Sequence, residues 1–222
     1  MVKISFVLAY VLGIIVLGFS FAFEYIKYGQ TGAKKYSFFS NFPYELNHFK
    51  IDQPKSFVLF GFEMVGSLLL ISSSLLFAIN FQEINPTSAY ILFSVSTFII
   101  ICFNVLRFVK LANYKLHLLM TSIFVVSNLL LFLLYYFFFT NANYGYVLID
   151  SVKITEAVVL IIFILFEFFL MLNPTYKNWA KLVNIEADLY SRPKYCYLAI
   201  LEWGNFLLYL LSFIPLTIVV FF

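Results

Sequence analysis

The chain has 222 residues, of which 63% are hydrophobic and only 11% are charged. Soluble domains carry about 25% charged residues, so this composition excludes a soluble globular protein. The 14 Lys and Arg residues against 11 Asp and Glu residues give a net charge of only +3, with no basic face for nucleic-acid binding. Two cysteines, Cys102 and Cys196, stand in apolar surroundings and exclude a disulfide framework or a cysteine-rich metal cluster.

Six apolar segments are each long enough for a membrane-spanning helix, which needs about 20 residues. The first covers residues 4–26, and its apolar run is too long for a signal peptide and has no small-residue cleavage site, so we expect it to be retained. The other five cover residues 56–80, 88–106, 116–140, 154–173 and 195–222. Because backbone groups in lipid must bond within their own segment, the pattern predicts six transmembrane helices in a single domain, residues 1–222.

Lys and Arg fall almost entirely on one side of the predicted bundle. Twelve of the 14 lie in or beside the first, third and fifth connections, and the opposite side holds only Lys3 and Lys153. We call the end where these three connections meet the lysine-rich end. By the positive-inside rule it faces the cytoplasm or the mitochondrial matrix, and both termini face the other side. The first connection, residues 27–55, is rich in aromatic residues, which predicts a structured loop at the membrane interface.

Three acids lie well inside predicted spans: Glu63, Glu167 and Glu202. Acids at such depth cost about 3 kcal/mol unless they are paired or neutralised. No Lys or Arg stands at a matching depth in the sequence, so we expect protonated acids that are hydrogen-bonded to a neighbouring helix. Glu63 could instead handle protons or contact a partner chain. Glu156 falls in the first turn of its predicted helix, where the helix dipole favours an anion.

Residues that could carry chemistry are otherwise scarce. His48 and His117 are the only histidines, which is too few for a haem or copper centre on this chain. No Ser-His-Asp arrangement or phosphate-binding loop is present in the sequence. Gly61 and Gly66 flank Glu63 and predict a close helix approach there. We therefore expect no active site and no metal site on this chain.

Several segments follow one another in the order of a known membrane-protein family. Residues 24–32, from Glu24 to Gly32, are similar to the family's Arg-Asp-Val-Ile-Arg-Glu…Gly stretch, and Glu63 stands at an acid early in the next helix. The further matches are Thr87-Ser88 with Val95-Ser96, Leu118-Leu119-Met120-Thr121 with Tyr136-Phe137, and Glu202 with Phe206-Leu207-Leu208-Tyr209. In the last helix the acid stands seven residues before the tyrosine, as it does in the family. The chain resembles cytochrome c oxidase subunit III.

The resemblance implies a non-catalytic core subunit of the mitochondrial cytochrome c oxidase, complex IV of the respiratory chain. The family has seven helices, and loss of its first helix would leave six with both termini on the intermembrane-space side of the inner membrane. Such a subunit carries no cofactor except phospholipid, because haem a and copper lie in partner subunits. It packs on subunit I, joins subunit II and accessory subunits, and supports proton uptake during electron transport. The 30 phenylalanines fit a mitochondrially encoded chain. So does the expectation that no transit peptide precedes the first helix.

The resemblance also implies roles for individual residues. Buried acids and their neighbours would contact subunit I, and these residues are Glu63, Glu202 and Tyr209. A phospholipid cleft would lie beside the first helix, residues 4–26, and its candidate residues are Gly61, Gly66 and Lys27. Histidines of the family are replaced here around Ala33, Cys102 and Glu156.

Two alternatives stay open. Val65-Gly66-Ser67 followed by Asn80 resembles a helix of subunit 6 of the mitochondrial NADH dehydrogenase, although that family's second helix would then fall on the polar residues 36–55. A free-standing small membrane transporter is the other, and it predicts inverted halves with helix-breaking residues near the midplane. Pro215 is the only proline deep in a predicted span.

Overall fold

The computed structural model describes residues 2–30, 36–47, 57–109, 113–140, 150–172 and 195–221. Within these ranges all regular structure is helical. The helices are α1 (Val2–Gln30), a 3₁₀ helix (Pro43–Asn47), α2 (Phe57–Phe81), α3 (Pro86–Leu106), α4 (Tyr114–Thr140), α5 (Asp150–Met171), α6 (Tyr197–Leu211) and α7 (Phe213–Phe221). α6 and α7 together form the last of six spans that are long and apolar enough to cross a membrane. The predicted all-helical membrane protein with six spans is confirmed, and the side on which its termini lie stays a prediction.

The last span is broken at Ser212, between α6 and α7. Pro215 has no N–H to donate to the Leu211 carbonyl, and its ring crowds that carbonyl, so one continuous helix cannot form. The Ser212 hydroxyl donates to the Tyr209 carbonyl over 2.6 Å and closes the end of α6. The sequence predicted one helix over residues 195–222, and the break is the difference that Pro215 causes.

α6 and α7 lie at the centre of the bundle, and theirs is the most buried of the six spans. α4 and α5 pack against α6, while α1, α2 and α5 pack against α7. α3 reaches α6 through the stacked rings of Phe103 and Phe206, whose centroids lie 3.7 Å apart. α1 and α5 are the least buried spans, and both present large apolar side chains outward. Side chains on the inner face of the last span are therefore shielded by all five other spans.

α1 and α2 pack most closely of all the helices. A Cβ atom added at Gly66 would lie 2.6 Å from Leu17 Cγ, and one added at Gly13 would lie 3.2 Å from the Gly66 carbonyl oxygen. The close approach predicted at Gly66 is confirmed, and the one predicted at Gly61 is wrong because no neighbouring helix lies within 4 Å of the added Cβ there. The cleft implied beside the first helix does not separate α1 from α2 in the described residues, since Gly13 and Gly66 bring the two backbones together.

Residues 36–47, which we call the aromatic segment, fold against the lysine-rich end. The Cys196 amide donates to the Phe39 carbonyl over 2.7 Å and ties this segment to the start of α6. The buried Tyr36 hydroxyl donates to the Phe42 carbonyl over 2.9 Å and accepts from Trp203 Nε1 over 3.1 Å. Burial raises the pKa of Tyr36 far above its ordinary value, so this hydroxyl stays protonated. The prediction of a structured loop is confirmed for these residues.

Candidate functional site

Buried ionisable side chains concentrate at the lysine-rich end. The ends of α1 and α3 and the beginnings of α2, α4 and α6 meet there. Five side chains are at most 1% exposed: Glu24, Glu63, Arg107, His117 and Glu202. The predicted burial of Glu63 and Glu202 is therefore confirmed. The expectation that no Lys or Arg reaches these acids is wrong for Glu63, which pairs with Arg107, whereas the partner of Glu202 is His117.

Arg107 joins three helices. Its Nη2 atom lies 2.6 Å from Glu24 Oε2, and its Nε atom lies 2.8 Å from Glu63 Oε1. The guanidinium carbon also lies 4.7 Å from the centre of the Phe21 ring, a cation–π contact. Burial by itself would lower the pKa of Arg107, but the two carboxylates outweigh burial and raise it, so the guanidinium stays charged. We call Glu24, Glu63 and Arg107 the arginine cluster.

His117 and Glu202 form a second buried pair, between α4 and α6. His117 Nε2 lies 2.8 Å from Glu202 Oε1, and His117 Nδ1 lies 2.7 Å from the Val109 carbonyl oxygen. The Thr121 hydroxyl is also 2.8 Å from Glu202 Oε1. The rings of Phe42 and Tyr44 from the aromatic segment pack edge-on against the imidazole, so the pair is covered on the side of the connections.

The hydrogen bonds of this pair determine where its protons can lie. A carbonyl oxygen only accepts, so His117 Nδ1 must carry a proton and donate it to Val109. The contact between Nε2 and Glu202 Oε1 then holds one proton, bound either to the imidazole or to the carboxyl group. Glu202 Oε2 is buried and has no hydrogen-bond partner among the described residues. The pair can therefore exchange one proton between two groups without a change of backbone position.

Polar side chains continue from this pair along the contact of α4 with the last span. On α4 they recur every four or seven residues, at His117, Thr121, Asn128 and Tyr135, and so share one helix face. On the last span they are Glu202, Asn205, Tyr209 and Ser212, which also share a face. All eight are buried. We call these eight residues the polar seam, and it runs from the lysine-rich end past the middle of the membrane-spanning region.

Side chains of α4 and the last span hydrogen-bond to one another at successive positions along the polar seam. Asn128 Nδ2 donates to the Asn205 carbonyl oxygen over 3.0 Å, and Tyr135 interacts with Ser212 farther along. The Tyr209 hydroxyl lies 2.9 Å from Ser96 Oγ, which in turn lies 2.9 Å from Ser74 Oγ. The seam is thereby linked to α3 and α2. Tyr209, predicted as a contact to another subunit, bonds inside this chain.

α5 adds two more buried acids, Glu156 and Glu167. Both are fully buried, and none of their carboxylate oxygens has a hydrogen-bond partner among the described residues. The expectation that Glu156 lies in the first helical turn is wrong, because α5 begins at Asp150 and places Glu156 in the second turn. The dipole effect falls off within the first turn and does not account for this acid.

The other residues singled out from the sequence lie outside the arginine cluster and the polar seam. Lys27 lies in the last turn of α1 and is half-buried at the lysine-rich end. His48 lies outside the described residues. Within the described ranges, no group of three or more His, Cys, Asp or Glu side chains converges to hold a metal ion. The buried cysteines Cys102 and Cys196 are both free thiols.

No protein-family model matches the sequence, and comparisons with curated proteins and with solved structures give no match. What the chain can do follows from its own buried polar residues. Sequence reasoning singled out Glu63, Glu202 and Tyr209 but missed Glu24, Arg107, His117, Asn128 and Asn205. The seven-residue recurrence of polar side chains from Thr121 to Tyr135 was the signal that could have found the α4 half of the seam.

Proposed function

We propose that this protein takes up protons at its lysine-rich end and passes them into the membrane along the polar seam. The observation that carries the proposal is the fully buried pair of His117 and Glu202, with 2.8 Å between the two atoms that hold the proton. Ionisable residues inside a membrane are rare, and chains of Asp, Glu and His are typical of proton relays. Beyond the pair, the hydroxyl group of Thr121 and the amide groups of Asn128 and Asn205 continue the buried polar seam into the membrane-spanning region.

The role we propose for this uptake is that of a non-catalytic core subunit of mitochondrial cytochrome c oxidase. The resemblance to subunit III supports it, since that subunit aids proton uptake while haem a and copper lie in subunits I and II. In this role Glu63 acts through Arg107 rather than directly on subunit I, because its carboxylate is bonded inside this chain. Location in the mitochondrial inner membrane, phospholipid binding and contacts with accessory subunits belong to the same proposal.

A second candidate is a free-standing proton-coupled transporter. The observation that favours it is that both walls of the polar seam, α4 and the last span, belong to this one chain. A seam of this kind is complete without a partner subunit. The two candidates share the proton uptake step and differ in what the protein is bound to.

The uptake step is tested by Glu202→Gln in the protein purified with whatever chains accompany it and reconstituted in lipid vesicles that contain a pH-sensitive dye. Glutamine keeps the size and an acceptor oxygen but cannot take the proton from His117. We expect wild-type vesicles to take up more protons after an acid pulse than protein-free vesicles, and Glu202→Gln vesicles to lose this excess uptake.

Glu83→Gln is the matched control, because Glu83 is exposed after α2 and lies at the end of the bundle away from the seam's entrance. We expect it to behave as wild type. Equal proton uptake by wild type and Glu202→Gln, with both proteins folded, would overturn the proposal.

A further inference from the structure

We propose that Glu167, Asn128 and Asn205 form a binding site for a single hard monovalent cation within the membrane. This goes beyond the proposed proton uptake, because it assigns a metal cation to Glu167 on α5 together with two asparagines of the polar seam. It stands even if Glu202→Gln leaves proton uptake unchanged.

The hydrogen bonds of the two asparagines leave one side-chain acceptor, Asn128 Oδ1, without a donor in the described part of the chain. Asn205 Nδ2 donates to the Leu201 carbonyl over 2.9 Å, and Asn128 Nδ2 faces the Asn205 carbonyl oxygen at 3.0 Å and Asn205 Oδ1 at 3.3 Å. Because both atoms that face Asn128 Nδ2 are acceptors, the orientation of this amide is fixed. Asn128 Oδ1 is buried without a hydrogen-bond partner in the described part of the chain.

Two contacts place Glu167 at the level of this asparagine pair. The rings of Phe163 on α5 and Phe132 on α4 lie 5.4 Å apart, and Glu167 and Asn128 each lie four residues from these rings toward the lysine-rich end. On the other side of Glu167, Leu170 Cδ1 lies 3.0 Å from a Cβ built on Gly204, the residue before Asn205. Because α5 runs antiparallel to both α4 and α6, these contacts place Glu167 within about one helical turn of the pair along the bundle axis.

The buried oxygen atoms of Glu167 and Asn128 are suited to bind a cation. Both Glu167 oxygens and Asn128 Oδ1 are fully buried acceptors without a donor among the described residues. A buried acceptor without a donor destabilises the folded state, and an uncompensated carboxylate does so more strongly. Carboxylate and amide oxygens bind hard cations such as alkali and alkaline-earth ions. A single carboxylate balances a single positive charge, so a monovalent ion leaves this low-dielectric site neutral and a divalent ion does not.

A proton is the natural competitor for the same carboxylate, and the experiment separates the two. Thermal unfolding of the purified protein is followed at constant ionic strength in choline, lithium, sodium or potassium chloride, at several pH values. A ligand that binds only the folded state raises the unfolding temperature as its concentration rises. We expect at least one alkali cation to raise it above the choline value, and we expect the shift to shrink at low pH as protons occupy Glu167.

Three variants locate the effect. Glu167→Gln removes the negative charge and should abolish the cation-dependent shift, while Glu156→Gln, a buried acid eleven residues away on the same helix, should keep it. Asn128→Ser removes one binding oxygen and should move the half-maximal shift to higher cation concentration, which gives a test should Glu167→Gln fail to fold. An unfolding temperature that is equal in all four salts at every pH would mean a site for protons only and would overturn the proposal. A shift that survives in Glu167→Gln would place the cation elsewhere and would overturn it equally.

Discussion

Arg107 is the residue that makes two buried carboxylates tolerable at the lysine-rich end. Its side chain leaves the end of α3 and turns back into the bundle, where Glu24 and Glu63 lie 2.6 Å and 2.8 Å from its nitrogen atoms. Long basic side chains usually place their charge toward water at helix ends. Here the charge is directed inward, which indicates that the acids, and not the solvent, determine its position.

Replacement of Arg107 by methionine should therefore destabilise the protein strongly. Removal of one partner leaves the carboxylates buried without their guanidinium, and such a change costs about 3–5 kcal/mol. Thermal unfolding in detergent, followed by near-ultraviolet circular dichroism, measures the loss. We expect the triple variant Glu24→Gln, Glu63→Gln, Arg107→Met to recover much of it, because no buried charge of the cluster then remains. An Arg107→Met protein as stable as wild type would contradict the pairing.

Sequence reasoning found Glu63 but not its partner, for a physical reason. Arg107 directly follows an apolar run, so it was assigned to a connection and not to the depth of an acid. Counting residues from the helix ends shows that both acids lie only about two turns deep. Glu63 lies in the second turn of α2, and Glu24 lies two turns before the end of α1. An arginine side chain spans that distance, so all three groups can meet at one level.

At the scale of helices, α4 shows how a mostly apolar segment can carry a function. Its hydrophobicity predicts only a membrane span, but its few polar residues recur at His117, Thr121, Asn128 and Tyr135 on the face toward the last span. A face of this kind is buried against another helix because lipid offers no hydrogen-bond partner. The position of each polar residue could be predicted from the helical period, whereas its partner could not, because helix order and rotation come from packing.

Packing of α1 on α2 makes a matched prediction with two glycines of the same helix. Gly66→Ala should destabilise the protein by about 1–3 kcal/mol, because the new Cβ would lie 2.6 Å from Leu17 Cγ and 3.1 Å from the Leu17 backbone nitrogen. Gly61→Ala should stabilise it by up to about 1 kcal/mol, because no neighbouring helix is near and alanine favours the helix. Thermal unfolding of the two variants measures both effects. Equal effects at the two positions would contradict the observed helix contact.

At the scale of the whole molecule, composition and long-range pairing carry different kinds of information. The number of spans follows from hydrophobicity summed over about 20 residues, so it could be predicted without knowledge of neighbours. The seam depends on contacts between residues 81 and 85 positions apart, Thr121 and His117 with Glu202. Such pairs cannot be predicted from the residues near each partner, because neither partner stands in a distinctive local sequence pattern. Resemblance to a known family pointed to Glu63 and Tyr209, and the structure adds the contacts that each makes inside this chain.

The proposed place of this protein in cytochrome c oxidase predicts the spectrum of the smallest assembly that contains it. Within the part of the chain that the structure describes, α1 and α5 present broad apolar faces, which lipid or neighbouring subunits can cover. Purification from native membranes in a mild detergent should yield a complex with the absorbance of haem a and with bound copper, although neither lies on this chain. Flavin and iron–sulfur absorbance would assign the protein to NADH dehydrogenase instead. A colourless single chain or homo-oligomer that still takes up protons through Glu202 would establish the transporter and refute the oxidase subunit.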